Sequence, residues 1–150
     1  MTSSIRARAS AIIVLPLLVL AGCASVSYEF DYGFDSSDGR GAWQEVDHDS
    51  ATILLQDDGT FEAELPASLC GEPMPSYLAN VDWKERKFLS GEWRTFEHSS
   101  YSGYLAPTED CPFIPIYFQR DSTGGQSMII YLVADEDADE ENIMRFIRAD

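Results

Sequence analysis

Apolar and polar residues alternate with a period of two through much of this chain, a pattern that predicts strands rather than helices. The cleanest case is Thr52 to Gln56, then Asp57-Asp58-Gly59, then Thr60 to Leu65. In the second arm Phe61, Ala63 and Leu65 fall on one face, with Glu62 and Glu64 on the other. The glycine of the linker suits the left-handed position of a short hairpin turn. Pro66 then stops the ladder, because it has no N–H to donate. Further strands are predicted at Trp43–Val46, Gly91–Glu97, Phe113–Gln119, Met128–Ala134 and Ile143–Arg148, with a hairpin turn at Gly124-Gly125. Residues 67–88 read as irregular: Pro73 and Pro75 mark a loop, and a short helix is placed within Ser76 to Phe88. About seven short strands with little helix predict an all-β domain, either an antiparallel barrel or a sandwich.

Upstream of Gly41 the pattern changes. Tyr28, Phe30, Tyr32 and Phe34 alternate with Glu29, Asp31, Gly33 and Asp35, which places the four rings on one face if the segment is extended. Packing of these rings on the domain, or a mobile acidic leash, is favoured over an aromatic platform for sugars or a membrane interface, because such stripes are usually buried. Ser36 to Gly41 reads as a hinge or turn.

The first residues form a different kind of segment. Arg6 and Arg8 precede an apolar run from Ala11 to Leu20, and no acid occurs before Glu29. Positive, greasy, then small is the layout of a secretory signal. The run is too short to span a bilayer, which takes about 20 apolar residues, and Pro16 interrupts it. Leu20-Ala21-Gly22-Cys23 resembles the lipobox of bacterial lipoproteins. That resemblance implies diacylglyceryl transfer to the Cys23 thiol, cleavage before it, and attachment to the extracytoplasmic face of a cell membrane. Two acyl chains suffice for lasting attachment, at about 0.8 kcal/mol per buried CH₂. The following residue is Ala24, not the aspartate associated with inner-membrane retention. The expected organisation is a signal at 1–22, a lipidated N-terminus and tether at 23–40, and the β domain at 41–150.

Removing the signal leaves 128 of 150 residues, enough for one core. Two of the ten Lys+Arg lie in it and none of the 26 Asp+Glu, so eight cations face 26 acids, a formal charge of −18. Such a surface repels phosphate, which argues against nucleic acid as a partner. Cys70 and Cys111 are the cysteines left in an oxidising compartment, and they predict one disulfide. No C-x-x-C spacing supports a redox role.

Gly41-Ala42-Trp43 opens the first confident strand and Gly91-Glu92-Trp93 repeats the pattern midway. The first of these resembles the entry motif of lipocalins. The resemblance implies a tryptophan, Trp43, plugging one barrel end beneath an arginine near the last strand, for which Arg145 and Arg148 are the candidates and Arg148 the preferred one. The wider set from Gly41 to Arg148, including ILLQDDGTFEAELP and SGEWR, resembles small uncharacterised bacterial lipoproteins. It implies a small lipocalin-like antiparallel β-barrel of seven to eight strands. No helix pattern follows the last strand as in lipocalins. At this size side chains can fill the interior.

Candidate chemistry is sparse. His48 lies in Asp47-His48-Asp49-Ser50, and His98 precedes Ser99 and Ser100, yet there is no Gly-x-Ser-x-Gly elbow. Both are expected to be turn histidines on a polar surface, and no catalytic residue is assigned. No zinc, P-loop or dinucleotide motif is present, so no metal or cofactor is expected. The acidic run from Asp135 to Glu141 could hold Ca²⁺ but lacks EF-hand spacing, and Asp35 to Gly39 is a weaker candidate. The leading expectation is a membrane-anchored envelope lipoprotein whose barrel binds a small apolar molecule or an envelope protein. A cation-binding module and, behind it, a hydrolase are the alternatives. Cys23→Ala should abolish lipid attachment and processing at this site. Intact-mass measurement of membrane-extracted protein checks it, and a wild-type chain with an unmodified Cys23 thiol contradicts it.

Overall fold

The computed structural model describes residues 26–96, 99–133 and 139–149. Its strands, in chain order, are β1 (Tyr28–Phe30), β2 (Gly41–Glu45), β3 (Thr52–Leu55), β4 (Thr60–Pro66), β5 (Arg86–Phe96), β6 (Ser99–Pro107), β7 (Ile114–Asp121), β8 (Gln126–Tyr131) and β9 (Ile143–Arg148). From β2 to β9 each strand pairs antiparallel with the next, and β9 pairs back on β2, so eight strands close into a barrel. The closing register sets Trp43 opposite Arg148 and Glu45 opposite Phe146. β1 stays outside the barrel, on the part of the β7 edge that β6 leaves free.

The alternation read in the sequence decides what lies inside. Every barrel strand turns apolar residues inward, among them Trp43, Phe61, Leu105, Ile116, Met128 and Phe146, all at most 1% exposed. These side chains belong to one continuous core that occupies the barrel. The hairpin of β3 and β4 follows the predicted pairing, with Leu55 opposite Phe61 and Gly59 at φ +83° in the turn. Pro66 is the last residue of its ladder, opposite Arg86.

Three elements differ from the sequence reading. β6 was not expected: Ser99 to Pro107 has three serines, a glycine and no β-branched residue. It forms because its neighbours dictate pairing. Gly91 and Gly103 sit where a Cβ would collide with Ala106 and Arg94 carbonyls across the β5–β6 seam, so only glycine permits this approach. β5 begins at Arg86, so residues 86–88, the end of the stretch read as irregular, are strand, paired with Pro66, Leu65 and Glu64. Of the 76–88 region only Leu78–Asn80 is helical, a single 3₁₀ turn. β8 ends at Tyr131, three residues short of Ala134.

The segment upstream of Gly41 is packed on the barrel. Only Tyr28–Phe30 is strand; the backbone then turns, with Phe34 N–H donating to the Asp31 carbonyl. The common aromatic face therefore does not form: Tyr32 is 73% exposed and Phe34 3%. Phe34 stacks on Phe118 with centroids 3.7 Å apart and joins the core. Asp31 is buried and accepts from Arg120 at 2.8 Å. Beyond it, α1 (Ser36–Gly39) is a single turn held by a capping box between Asp35 and Asp38. Gly39 lies against Phe34, Phe118 and Trp93, so α1 lids one barrel end. The turns at 56–59 and 122–125 share that end. The longer loops at 46–51, 67–85 and 108–113, and the described residues 132–133 and 139–142, lie at the other.

Phe34→Ala should cost about 3–5 kcal/mol, the usual price of deleting a buried ring; an unchanged urea midpoint would show that the lid contributes nothing. Acid should weaken the fold through its turns. Hydrogen bonds from Thr60, from Thr123 and Gly125, and from Ser37 hold the carboxyls of Asp58, Asp121 and Asp35 below the ordinary 3.8. A lowered folded pKa stabilises above the unfolded value and is lost as pH falls through the folded one. Stability should therefore drop below the ordinary aspartate range, and Asp121→Asn should flatten that drop in urea titrations across pH.

Candidate functional site

At the lidded end, Trp43 is fully buried and its Nε1 donates to the Gly39 carbonyl at 2.8 Å. The Arg148 guanidinium lies over the indole, 4.1 Å from its centroid, and donates to the carbonyls of Asp38 and Arg40. Burial pushes the Arg148 pKa down, opposed by Asp38. Trp93, from the second Gly-x-Trp, donates Nε1 to the Gln56 carbonyl at 3.1 Å. Arg145 faces outward instead. It lies over Tyr28 at 3.7 Å and donates to Gln119, Ser127 and Glu140. One arginine thus fastens the lid and the other fastens β1.

At the opposite end Cys70 and Cys111 are joined by a disulfide that ties the loop after β4 to the loop before β7. Nearby, Glu45 is 3% exposed and accepts from Asp47 N–H, while its Oε2 lies 3.0 Å from His48 Nδ1. The imidazole stacks flat on Trp83, with centroids 3.5 Å apart. A carboxylate orienting an imidazole is half of a nucleophile-activating array. The other half is missing among the described residues: no hydroxyl is hydrogen-bonded to the ring, and Ser50 Oγ instead accepts from Arg86. One face of the ring is covered by indole. This cluster fastens the 46–51 loop to the 67–85 loop.

The outer wall carries the other candidate. A groove of about 450 Å³ crosses β2, β3, β4 and β5. Its floor follows from register. One row runs Ala42, Leu54, Glu62, Ser90, and the next runs Gln44, Thr52, Glu64, Phe88. Phe88 is 74% exposed and Leu54 is 40% exposed. Glu109 closes one side, accepting from Ser90 N–H and Oγ, and these bonds hold its carboxyl below the usual 4.5. Further round the barrel, Phe96, Tyr104 and Phe113 form a ring contact chain with spacings of 5.4 and 5.6 Å.

Sequence reasoning did not single out this groove. Its signal was the run Ile53-Leu54-Leu55, where strict alternation fails and one leucine must face out; Phe88 was the last residue of a stretch read as irregular. Other expected sites are settled differently. Asp35 to Gly39 spends its carboxylates on capping α1. Among the described residues, no group of three His, Cys, Asp or Glu side chains is arranged to hold a metal ion. Cys23, His98 and residues 135–138 lie outside the described residues. Comparison of the sequence with protein-family models and with curated proteins finds no match.

Proposed function

We propose that this chain is a cell-envelope lipoprotein, anchored through Cys23, whose barrel works by side-chain contact between its outer wall and a neighbouring protein. The observation that supports this most is the contrast between inside and outside. The interior is filled by core side chains, whereas Phe88 and Leu54 are exposed together in a groove. A carrier of small apolar molecules needs the reverse arrangement, a void lined by apolar groups. Exposed apolar surface rimmed by polar groups is the usual mark of a protein contact.

The anchor fits this reading geometrically. The Ser27 carbonyl accepts from Ser122 N–H at 3.0 Å, so the docked chain begins four residues after Cys23. Four extended residues reach about 14 Å. The expected tether is thereby shortened to a few residues, and the turn at 122–125 is held close to the bilayer. β3 and β4 lie four strands from β7 and β8 in either direction round the barrel. The groove is therefore on the wall opposite the one along which the anchored segment runs.

A photoreactive benzoylphenylalanine placed at position 88 in the full-length chain, in its own cells, should yield a covalent adduct with an envelope protein. The same probe at Thr123, beside the anchored segment, should not yield that adduct. Absence of a protein adduct at both 54 and 88, or retention of a stoichiometric small apolar molecule in native mass spectra, would overturn the reading.

A further inference from the structure

Resting on that reading, we infer that the groove across β2–β5 receives a basic segment of the partner protein, its apolar side chain seated on Phe88 and Leu54 and its lysine or arginine side chains opposite Glu62, Glu64 and Glu109. The argument begins with what the groove lacks. None of its lining residues is a cation. Elsewhere four acids have an arginine partner: Arg40 pairs with Asp57, Arg94 with Glu92, Arg120 with Asp31 and Arg145 with Glu140. Lys87 reaches the Asp110 carbonyl and Arg86 reaches Ser50. Glu62 and Glu64 have no ion pair with any described residue.

Their placement makes that absence costly. Both project from the same face of β4, two residues apart, so their separation along the strand is about 6.6–6.8 Å. Glu109 closes the neighbouring side through Ser90, which is directly opposite Glu62. Like charges gathered round an exposed ring repel one another until a cation arrives, and complementary charge is what steers such an encounter. The apolar floor supplies the part of the contact that survives salt.

The same features exclude other occupants. An anionic lipid surface would meet three carboxylates. A second copy docking by two-fold symmetry would set this acidic patch against itself. A free strand cannot add to the wall, because β2 to β5 are each paired on both edges. The partner must lie over the side chains rather than extend the sheet.

The experiment uses the full-length chain in its own membrane, with the photoreactive residue at position 88. The adduct is isolated and the cross-linked partner peptide is sequenced by mass spectrometry. We expect lysine or arginine flanking the cross-linked residue. Glu62→Lys/Glu64→Lys should cut adduct yield roughly fivefold to tenfold, as loss of two rim contacts and their replacement by repulsion would. Glu72→Lys/Glu141→Lys, the same charge change at exposed carboxylates outside the groove, should leave it nearly unchanged. An intact Cys70–Cys111 disulfide confirms that each variant is folded. A neutral or acidic partner peptide overturns the inference while leaving the protein-contact reading standing, as does equal loss from both double variants. No adduct at either 88 or 54 in the groove with its glutamates intact removes both.

Discussion

Closure of the sheet by β2 and β9 is the constraint from which the other properties of this molecule follow. With Trp43, Gln44 and Glu45 laddered to Arg148, Ile147 and Phe146, the barrel strands have no long free edge. An open sheet of this length would offer unpaired N–H and C=O groups to any passing chain. Closure also fixes a small circumference, and the inward residues of eight strands then fill the space. What remains for recognition is the outer wall and the loop end.

The N-terminal segment completes this arrangement from outside. β1 occupies the short stretch of β7 edge beyond β6, Asp31 neutralises Arg120, and Phe34 enters the core beneath α1. Each contact is modest alone. Together they turn what looks like a linker into part of the fold, with Arg145 and Arg148 holding its two ends. The acidic surplus of the sequence is distributed unevenly as a result. Arg120, Arg40, Arg94 and Arg145 pair with Asp31, Asp57, Glu92 and Glu140, and the two glutamates on the β4 face have no ion pair with a described residue.

How much of this could be read from the sequence depended on how local the signal was. The β3–β4 hairpin was legible because Phe61, Ala63 and Leu65 alternate with glutamates and a glycine marks the turn. The disulfide followed from counting cysteines. The position of Trp43 beneath Arg148 came from a resemblance, not from periodicity. β6 was hard to read because Ser99 to Pro107 has no β-branched residue and three serines, and its glycine, Gly103, is explained only by the neighbouring strand. Packing of the N-terminal rings on the domain was legible, but not which rings: alternation from Tyr28 to Phe34 ignores the turn at Asp31, which sends Tyr32 out and Phe34 in. The groove needed three-dimensional register to align Leu54, Glu62 and Phe88 from three strands.

The late position of β9 also dictates when the domain can form. Arg148 closes the ladder with Trp43 and Phe146 fills the interior, so a nascent chain lacking its final residues has two open edges and an unfinished core. Pairings this distant along the chain are slow to establish. Stepwise strand addition can build the wall, but it cannot close it before β9 is present. Neighbouring strands can pair as they appear, but the β2–β9 ladder and the filled interior wait for Ile143 to Arg148.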